Sequence, residues 1–158
     1  MRTMWGGALL VTLFLATSGH AEDRHAGYYY PVPATEEAYR SRVRTLPEAS
    51  RNARVSFVTN ITNGMISNNP YPPEFVIFSK GARQEKLIIV ALRDDAYNTI
   101  YRIRALLAQL TAVARRTRIF QEQMKPDHLT FLDLLNMMGF EQLTVSDGKN
   151  FAHQILIR

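Results

Sequence analysis

Two short, uninterrupted runs of apolar residues constrain the fold of this chain more than any other feature. Residues 75–78 have the sequence FVIF and residues 87–92 have the sequence LIIVAL, and the polar segment between them contains Gly81. Runs of this length without a polar side are typical of strands that are covered on both faces. We therefore predict a β-hairpin with a loop over residues 80–85.

A second hairpin is predicted at the carboxyl end, where the segments LTV and FAHQILI flank the turn sequence SDGKN. A two-residue Asp-Gly turn would mix polar and apolar side chains on each face. A three-residue loop over residues 147–149 pairs Val145 with Phe151. The same register pairs Leu143 with His153 and gathers the apolar side chains on one face, so we favour it.

A long helix is predicted over residues 98–121, with capping oxygens offered by Asp94, Asp95 and Asn98. At 100° per residue, its apolar side chains fall on one broad stripe that should cover one face of the sheet. The stripe consists of Ile103, Leu106, Leu107, Leu110, Val113 and Ala114.

A shorter helix over residues 131–138 has recognisable signals at both ends. Thr130 and Asp133 have the spacing of a capping box, with Asp in the position usually taken by Glu. Gly139 stands where a left-handed residue ends many helices, and Phe140 can fold back on the last turn.

The amino-terminal half of the domain gives weaker signals. Thr35 followed by two glutamates predicts a short helix over residues 35–44. Residues 54–62 alternate between apolar and polar side chains, which predicts a half-buried strand before a turn at Asn63 and Gly64. Because the strands are grouped and the helices intervene once between two hairpins, we expect an α+β domain with an antiparallel sheet of about five strands.

The first 21 residues have the three-part pattern of a secretory signal peptide. Arg2 precedes an apolar run over residues 8–16, and small residues stand at Gly19 and Ala21. The run is shorter than the roughly 20 residues that cross a bilayer. We expect cleavage after residue 21, an extended Tyr/Pro arm over residues 22–34 and a single domain over residues 35–158.

The absence of cysteine narrows the chemistry of the exported chain. It excludes disulfides, thiolate catalysis and lipid attachment through a cysteine, and it fits a bacterial periplasm better than an animal secretory pathway. No second apolar run reaches membrane length, so we expect no transmembrane anchor after signal cleavage. The predicted location is periplasmic or secreted.

The charge balance suggests an anionic partner. Without Arg2 the chain has 18 basic and 14 acidic residues, a net charge of +4. A basic surface suits an envelope protein or another anionic envelope component, whereas export argues against nucleic acid. A solvated arginine-rich surface is the alternative. The candidate contact residues are Arg102, Arg104, Arg115, Arg116 and Arg118 on the long helix, with Tyr28, Tyr29 and Tyr30 of the arm.

Motifs for catalysis are weak. The spacing of His25, His128 and His153 suits no metal site, and neither a GxSxG elbow nor a phosphate loop is present, so we expect no metal or cofactor. The best polar cluster is Asp147 with His153, the two weak catalytic candidates. A buried histidine with satisfied hydrogen bonds is the simpler interpretation of His153.

Several segments together are similar to a known family: YYYP, FVTNIT, YPPEFVIFSKG, EKLIIVAL, NTIYRIRALLAQLTAVAR and LTVSDGKNFAHQILI. They resemble small exported bacterial proteins of unassigned activity, some of which are labelled as molybdopterin-guanine dinucleotide biosynthesis proteins. The resemblance implies export and one domain. The chain lacks the LAGGxSxRMG loop of the cytoplasmic nucleotidyltransferases with that label, so the resemblance identifies no catalytic residue.

These observations lead to one main expectation and two alternatives. The main expectation is an exported periplasmic protein that acts as a non-enzymatic binding or accessory module. The first alternative is a periplasmic hydrolase or transferase that uses Asp147 and His153. The second is a role linked to molybdopterin-guanine dinucleotide cofactor biosynthesis.

Overall fold

The computed structural model describes residues 31–67, 70–122 and 126–158; the predicted signal peptide and Tyr28, Tyr29 and Tyr30 lie outside these ranges. The described chain forms an α+β domain around a five-stranded mixed sheet. Its elements are β1 (Thr35–Tyr39), α1 (Arg51–Ser67), β2 (Phe75–Lys80), β3 (Lys86–Ala91), α2 (Ile100–Ala114), α3 (Arg118–Gln121), a 3₁₀ turn (Pro126–His128), α4 (Phe131–Met137), β4 (Gln142–Ser146) and β5 (Ala152–Ile157).

The strand order is β1-β5-β4-β3-β2, and only half of the pairings are antiparallel. Both predicted hairpins are confirmed, as β2–β3 and β4–β5. The expectation of an antiparallel sheet is wrong for β1–β5 and β3–β4, which are parallel. The helices between the hairpins carry the chain back to the end of the sheet where β3 began. This crossover makes β3 and β4 parallel.

Odd-numbered residues of all five strands share one face of the sheet, which packs against the helices. Side chains from α2, α3 and α4 join this face in one core, and Phe57 of α1 packs against it. On the opposite face Ile88 and Val90 are buried, but Val76 on edge strand β2 is 38% exposed. Strand β3 is therefore covered on both faces, as predicted. The prediction is wrong in part for β2, because its outer face is partly exposed at Val76.

The helix predicted over residues 35–44 is wrong, because residues Thr35–Tyr39 form strand β1. This strand lies parallel to β5, with Thr35 opposite His153 and Tyr39 opposite Ile157. The helix was predicted from a capping signal at Thr35 and its neighbours, whereas strand β1 is formed by pairing with β5, which lies far along the chain. The pairing satisfies the backbone of the whole segment and therefore outweighs the cap.

The strand predicted over residues 54–62 is also wrong, because these residues lie within helix α1, and the turn predicted at Asn63 and Gly64 lies there too. The same sequence carries a helical period. Arg54 is buried, Phe57, Val58 and Ile61 pack on the core, and the four positions follow the i, i+3, i+4, i+7 pattern. The alternation and the helical period coexist, and contact with the core selects the helix.

The long helix predicted over residues 98–121 divides into α2 and α3. Thr99, rather than Asp94, Asp95 or Asn98, caps α2 by accepting a hydrogen bond from the Arg102 amide at 3.3 Å. Thr117 has an extended backbone, and its hydroxyl donates to the Ala114 carbonyl at 2.6 Å. Thr117 therefore separates the two helices.

Helix α4 ends within one residue of the predicted boundary, and the capping box of Thr130 with Asp133 is confirmed. Gly139 has a φ of 77°, as its predicted role requires. The Gly139 amide donates to the Asn136 carbonyl and the Phe140 amide donates to the Leu135 carbonyl, both at 2.9 Å. These two bonds form a Schellman motif.

The register predicted for the second hairpin is wrong by two residues. Val145 lies opposite His153 and Leu143 lies opposite Ile155, so the loop covers residues 147–151. A slip of two residues leaves every side chain on its predicted face. The longer loop is favoured because Asp147 Oδ1 accepts hydrogen bonds from three successive backbone amides, those of residues 149–151, at 2.8–2.9 Å.

Replacing Asp147 by alanine is expected to lower the free energy of unfolding by about 1–3 kcal/mol, because three loop amides lose their acceptor. Urea denaturation measures the change. Asn150→Ala is the matched control in the same loop, since the Asn150 side chain is exposed. Equal losses in both variants would contradict this account of the loop.

Candidate binding surface on helix α2

Helix α2 presents a broad exposed face opposite its buried stripe. Ile103 and Leu106 are buried in the core, whereas Tyr101 on the opposite face is 87% exposed. Val113, which was predicted in the apolar stripe, is 62% exposed, so the prediction is wrong for this residue near the end of the helix. The rest of the exposed face is formed by small residues: Ala105, Ala108 and Ala112. An exposed aromatic ring among small residues is available for contact with a partner.

A cavity of about 380 Å³ borders this face on one side, between α2 and the loop after β3. Arg102 and Gln109 line it from the helix, and Glu74, Asp95 and Tyr97 line it from the opposite side. Asp95 and Tyr97 have φ values of 60° and 58°, in the left-handed region that non-glycine residues rarely adopt. Arg102 donates a hydrogen bond to the Asp95 carbonyl and holds this strained loop against the helix.

Tyr97 anchors the same loop. Its ring is buried and packs edge-on against Phe75, with ring centroids 6.2 Å apart. Burial, with a smaller contribution from Glu74, raises the pKa of Tyr97 to about 12, although Arg93 opposes the change. The protonated phenol is therefore the form that the fold stabilises.

This pKa predicts an alkaline loss of stability. The folded-state pKa of Tyr97 lies above its ordinary value of 10.0, so its contribution is complete below pH 10 and is lost as pH rises towards about 12. Urea denaturation across this range should show a steeper decline in the wild type than in Tyr97→Phe. Tyr101→Phe serves as the exposed control and should follow the wild type. If the stability of Tyr97→Phe declined with pH as steeply as that of the wild type, the alkaline loss could not be assigned to Tyr97.

A second cavity of about 410 Å³ borders the α2 face on its other side, between α2 and α4. Leu107, Phe131 and Leu132 give it apolar walls, and Arg115 supplies a guanidinium group. Arg115 Nη2 donates to the Asp127 carbonyl at 2.6 Å, which ties the end of α2 to the segment before α4.

Behind this second cavity lies a buried carboxylate with five donors. Asp133 Oδ2 accepts from the Tyr39 hydroxyl, the Thr130 amide and the Thr130 hydroxyl at 2.8–3.1 Å. Asp133 Oδ1 accepts from the Ser41 hydroxyl at 3.0 Å and the Arg42 amide at 2.9 Å. Burial alone would raise the pKa of Asp133, but these hydrogen bonds outweigh it and lower the pKa.

A third cavity, of about 390 Å³, lies at the carboxyl ends of the parallel strands β3 and β4. Val90 and Leu92 contribute apolar surface, and Asp147 lies on its border. Lys149 and Asp94, also in the lining, form an exposed ion pair with an Nζ–Oδ1 distance of 2.6 Å. This pair lowers the pKa of Asp94 and raises the pKa of Lys149.

The two weak catalytic candidates have separate structural partners. Asp147 binds the amides of its own loop, as described above. His153 is buried, with Nδ1 2.8 Å from the Thr35 hydroxyl and Nε2 3.3 Å from Glu37 Oε1. Glu37 also faces Arg104, with an Nη2–Oε2 distance of 3.4 Å. Thr35 and Glu37 reach His153 because β1 pairs with β5, and the local sequence signals at residues 35–44 do not predict that pairing.

Four of the five predicted contact arginines already have partners inside the domain. Their acceptors are the Asp95 carbonyl for Arg102, Glu37 for Arg104, the Asp127 carbonyl for Arg115 and Glu122 for Arg118. Arg116 is exposed. The structure thus places Arg102 and Arg104 on α2, beside its exposed face, and places Arg115 and Arg116 just after the last residue of α2, while Arg118 lies on α3.

The described residues form a mixed five-stranded α+β domain with helices packed on one face. Within them, no three or more His, Asp or Glu side chains are grouped so that they could hold a metal ion. No described helix is long and apolar enough to cross a bilayer.

Comparison with protein-family models, with curated proteins and with solved structures finds no match to this chain.

Proposed function

We infer that the protein is an exported, non-enzymatic binding module that docks an anionic component of the cell envelope through the exposed face of α2. The observation that carries this inference is Tyr101, which is 87% exposed on a helix face beside Arg102 and Arg104, with the exposed Arg116 just beyond the end of the helix. Aromatic residues and arginine are the types that dominate binding energy at interfaces.

The two cavities beside α2 also favour docking at its exposed face. Each lies between the helix and a neighbouring element, so the exposed helix forms a ridge between two depressions. A ridge of this kind gives a partner more contact area than an isolated surface helix. Among the described residues, the lining of the cavity on the α4 side contains Arg115 and no carboxylate, whereas Glu74, Asp94 and Asp95 line the other cavity. Positive charge on the α4 side therefore favours a partner of negative charge there.

Export rests on the sequence pattern of residues 1–21 and has its own test. Protein purified from the source cell envelope should begin at Glu22, as intact mass spectrometry would measure. An intact Met1 in that fraction would contradict cleavage at the predicted position.

The docking face is tested by charge reversal at Arg116 rather than Arg115, because Arg115 holds the segment before α4. Arg116→Glu is expected to weaken capture of the envelope component about tenfold, since it turns an attraction into a repulsion. Arg51→Glu is the matched control, because Arg51 is also an exposed arginine, at the start of α1. The melting temperatures of both variants should stay near that of the wild type.

Two results would contradict the proposed face. One is unchanged capture by Arg116→Glu. The other is equal weakening by Arg51→Glu, which would point to net charge alone. Capture by the wild type should also fall as salt increases, because exposed charges are screened within about 10 Å at 0.1 M ionic strength.

A further inference from the structure

We propose that the cavity between α2 and α4 binds a small molecule with an apolar body and a single carboxylate. This cavity borders the α2 face proposed for docking, but the argument for a bound small molecule does not depend on that function. Its volume of about 410 Å³ falls within the range of small-molecule sites in proteins.

The first argument is a positive charge without a carboxylate partner. Arg115 lines the cavity, and its guanidinium uses Nη2 for the Asp127 carbonyl at 2.6 Å and the Leu129 carbonyl at 3.4 Å. The ion pairs among the described residues do not include Arg115. Its Nε is closed to solvent, so a ligand carboxylate would meet the guanidinium from the cavity side, where a charge-assisted contact balances the charge.

The second argument is that the hydroxyl groups of the lining are already committed. Thr111 donates to the Leu107 carbonyl at 2.7 Å and accepts from the Phe131 amide at 3.0 Å. Tyr39 and Thr130 both bind Asp133. With its hydroxyls engaged, the lining offers a ligand one cationic donor group, so the remainder of the ligand must be apolar.

The walls of the cavity are apolar, as the body of such a ligand requires. Leu107, Ala108 and Ala112 line the cavity from α2, and Phe131 and Leu132 line it from α4. These side chains bury aliphatic or aromatic carbon at about 25 cal/mol for each Å² removed from water. An apolar body of modest size therefore has a surface to contact beside the Arg115 charge.

The charge of the site favours a monoanion. One guanidinium group balances one negative charge. The buried carboxylate of Asp133 lies directly behind Tyr39 and Thr130 and opposes any further negative charge. A monocarboxylate therefore suits the site better than a phosphate monoester, which carries about two negative charges near neutral pH.

The test uses three probes of the same chain length: hexanoate, 1-hexanol and hexyl phosphate. Each is titrated into the purified protein, and backbone amide shifts are followed by NMR. Hexanoate should bind with a dissociation constant of about 1 mM or tighter, with shifts grouped on Thr111, Arg115 and Phe131. The alcohol and the phosphate should bind at least about tenfold more weakly.

Two alanines on α2 give a matched pair of variants. Ala108→Leu places extra carbon in the cavity and should weaken hexanoate binding at least about tenfold. Ala105→Leu makes the same change on the same exposed face, but Ala105 lines the cavity on the other side of the helix. It should leave hexanoate binding unchanged. Both positions are exposed, so neither variant should unfold the domain.

Three results would overturn the site. They are absence of saturable hexanoate binding, equal binding of hexanol, and hexanoate binding that Ala108→Leu does not weaken. The docking function is judged separately by Arg116→Glu and envelope capture, so failure of one proposal leaves the other test intact.

Discussion

Replacing Asp133 by alanine is expected to lower the free energy of unfolding by about 3–5 kcal/mol, the largest effect that we predict for a single substitution. The side chain is fully buried, and its two oxygens accept five hydrogen bonds that join β1, the segment after it and α4. Removing the carboxylate leaves all five donors without this acceptor. Urea denaturation at neutral pH measures the loss.

The pH dependence of stability gives a second readout of the same group. The folded-state pKa of Asp133 is lower than its ordinary value of 3.8, so its contribution is complete above that value and is lost as pH falls through the folded pKa. The wild type should therefore lose stability in acid more steeply than Asp133→Asn. Asp127→Ala is the exposed control and should change stability by less than about 0.5 kcal/mol. A loss at Asp133 no larger than at Asp127 would contradict the network.

Replacing Arg54 by methionine is expected to lower the free energy of unfolding by about 2–4 kcal/mol. This arginine of α1 is 6% exposed, and among the described residues its guanidinium donates to backbone carbonyls. Nε and Nη2 donate to the Arg83 carbonyl at 2.9 and 2.7 Å, and Nη1 donates to the Met138 and Gly139 carbonyls at 3.2 and 3.3 Å. Arg54 thus ties α1 to the β2–β3 loop and to the carboxyl end of α4.

The matched control is Arg51→Met, because Arg51 is exposed on the first turn of the same helix. Its stability should remain within about 0.5 kcal/mol of the wild type. Equal losses at positions 51 and 54 would mean that the buried guanidinium contributes nothing beyond a general effect of charge on α1.

A double-mutant cycle tests the contact between Arg54 and the end of α4. A Cβ added at Gly139 would lie 2.6 Å from Arg54 Nη1, and the positive φ of Gly139 strains any other residue there. Gly139→Ala should cost about 1–3 kcal/mol in the wild type and less in an Arg54→Ala background, where the collision is absent. Additive losses would contradict the contact.

Local signals predicted the parts of the fold that depend on neighbouring residues. The two hairpins follow from apolar runs beside turn sequences, and α4 follows from Thr130, Asp133 and Gly139. The errors arose where distant contacts decide the structure. Strand β1 pairs with β5, 118 residues away at Thr35 and His153, and α1 carried two competing periodicities.

The candidate surface was predicted only in part, for a related reason. The arginine borders of α2 could be placed from helical periodicity alone. The acceptors that engage most of these arginines are carbonyl groups and Glu37, whose positions depend on loops and on β1. The Asp133 network was missed beyond its capping box because Tyr39 and Ser41 lie more than 90 residues away in sequence.

Site-specific photocrosslinking in the source cells tests most directly that the α2 face docks an envelope component. A photoreactive phenylalanine would replace Tyr101 or, as a matched control, Tyr71, which is also an exposed tyrosine at 75%. The account predicts a discrete crosslinked product from position 101 that Arg116→Glu weakens, and no such product from position 71. Absence of a product at position 101, or the same product from both positions, would contradict it.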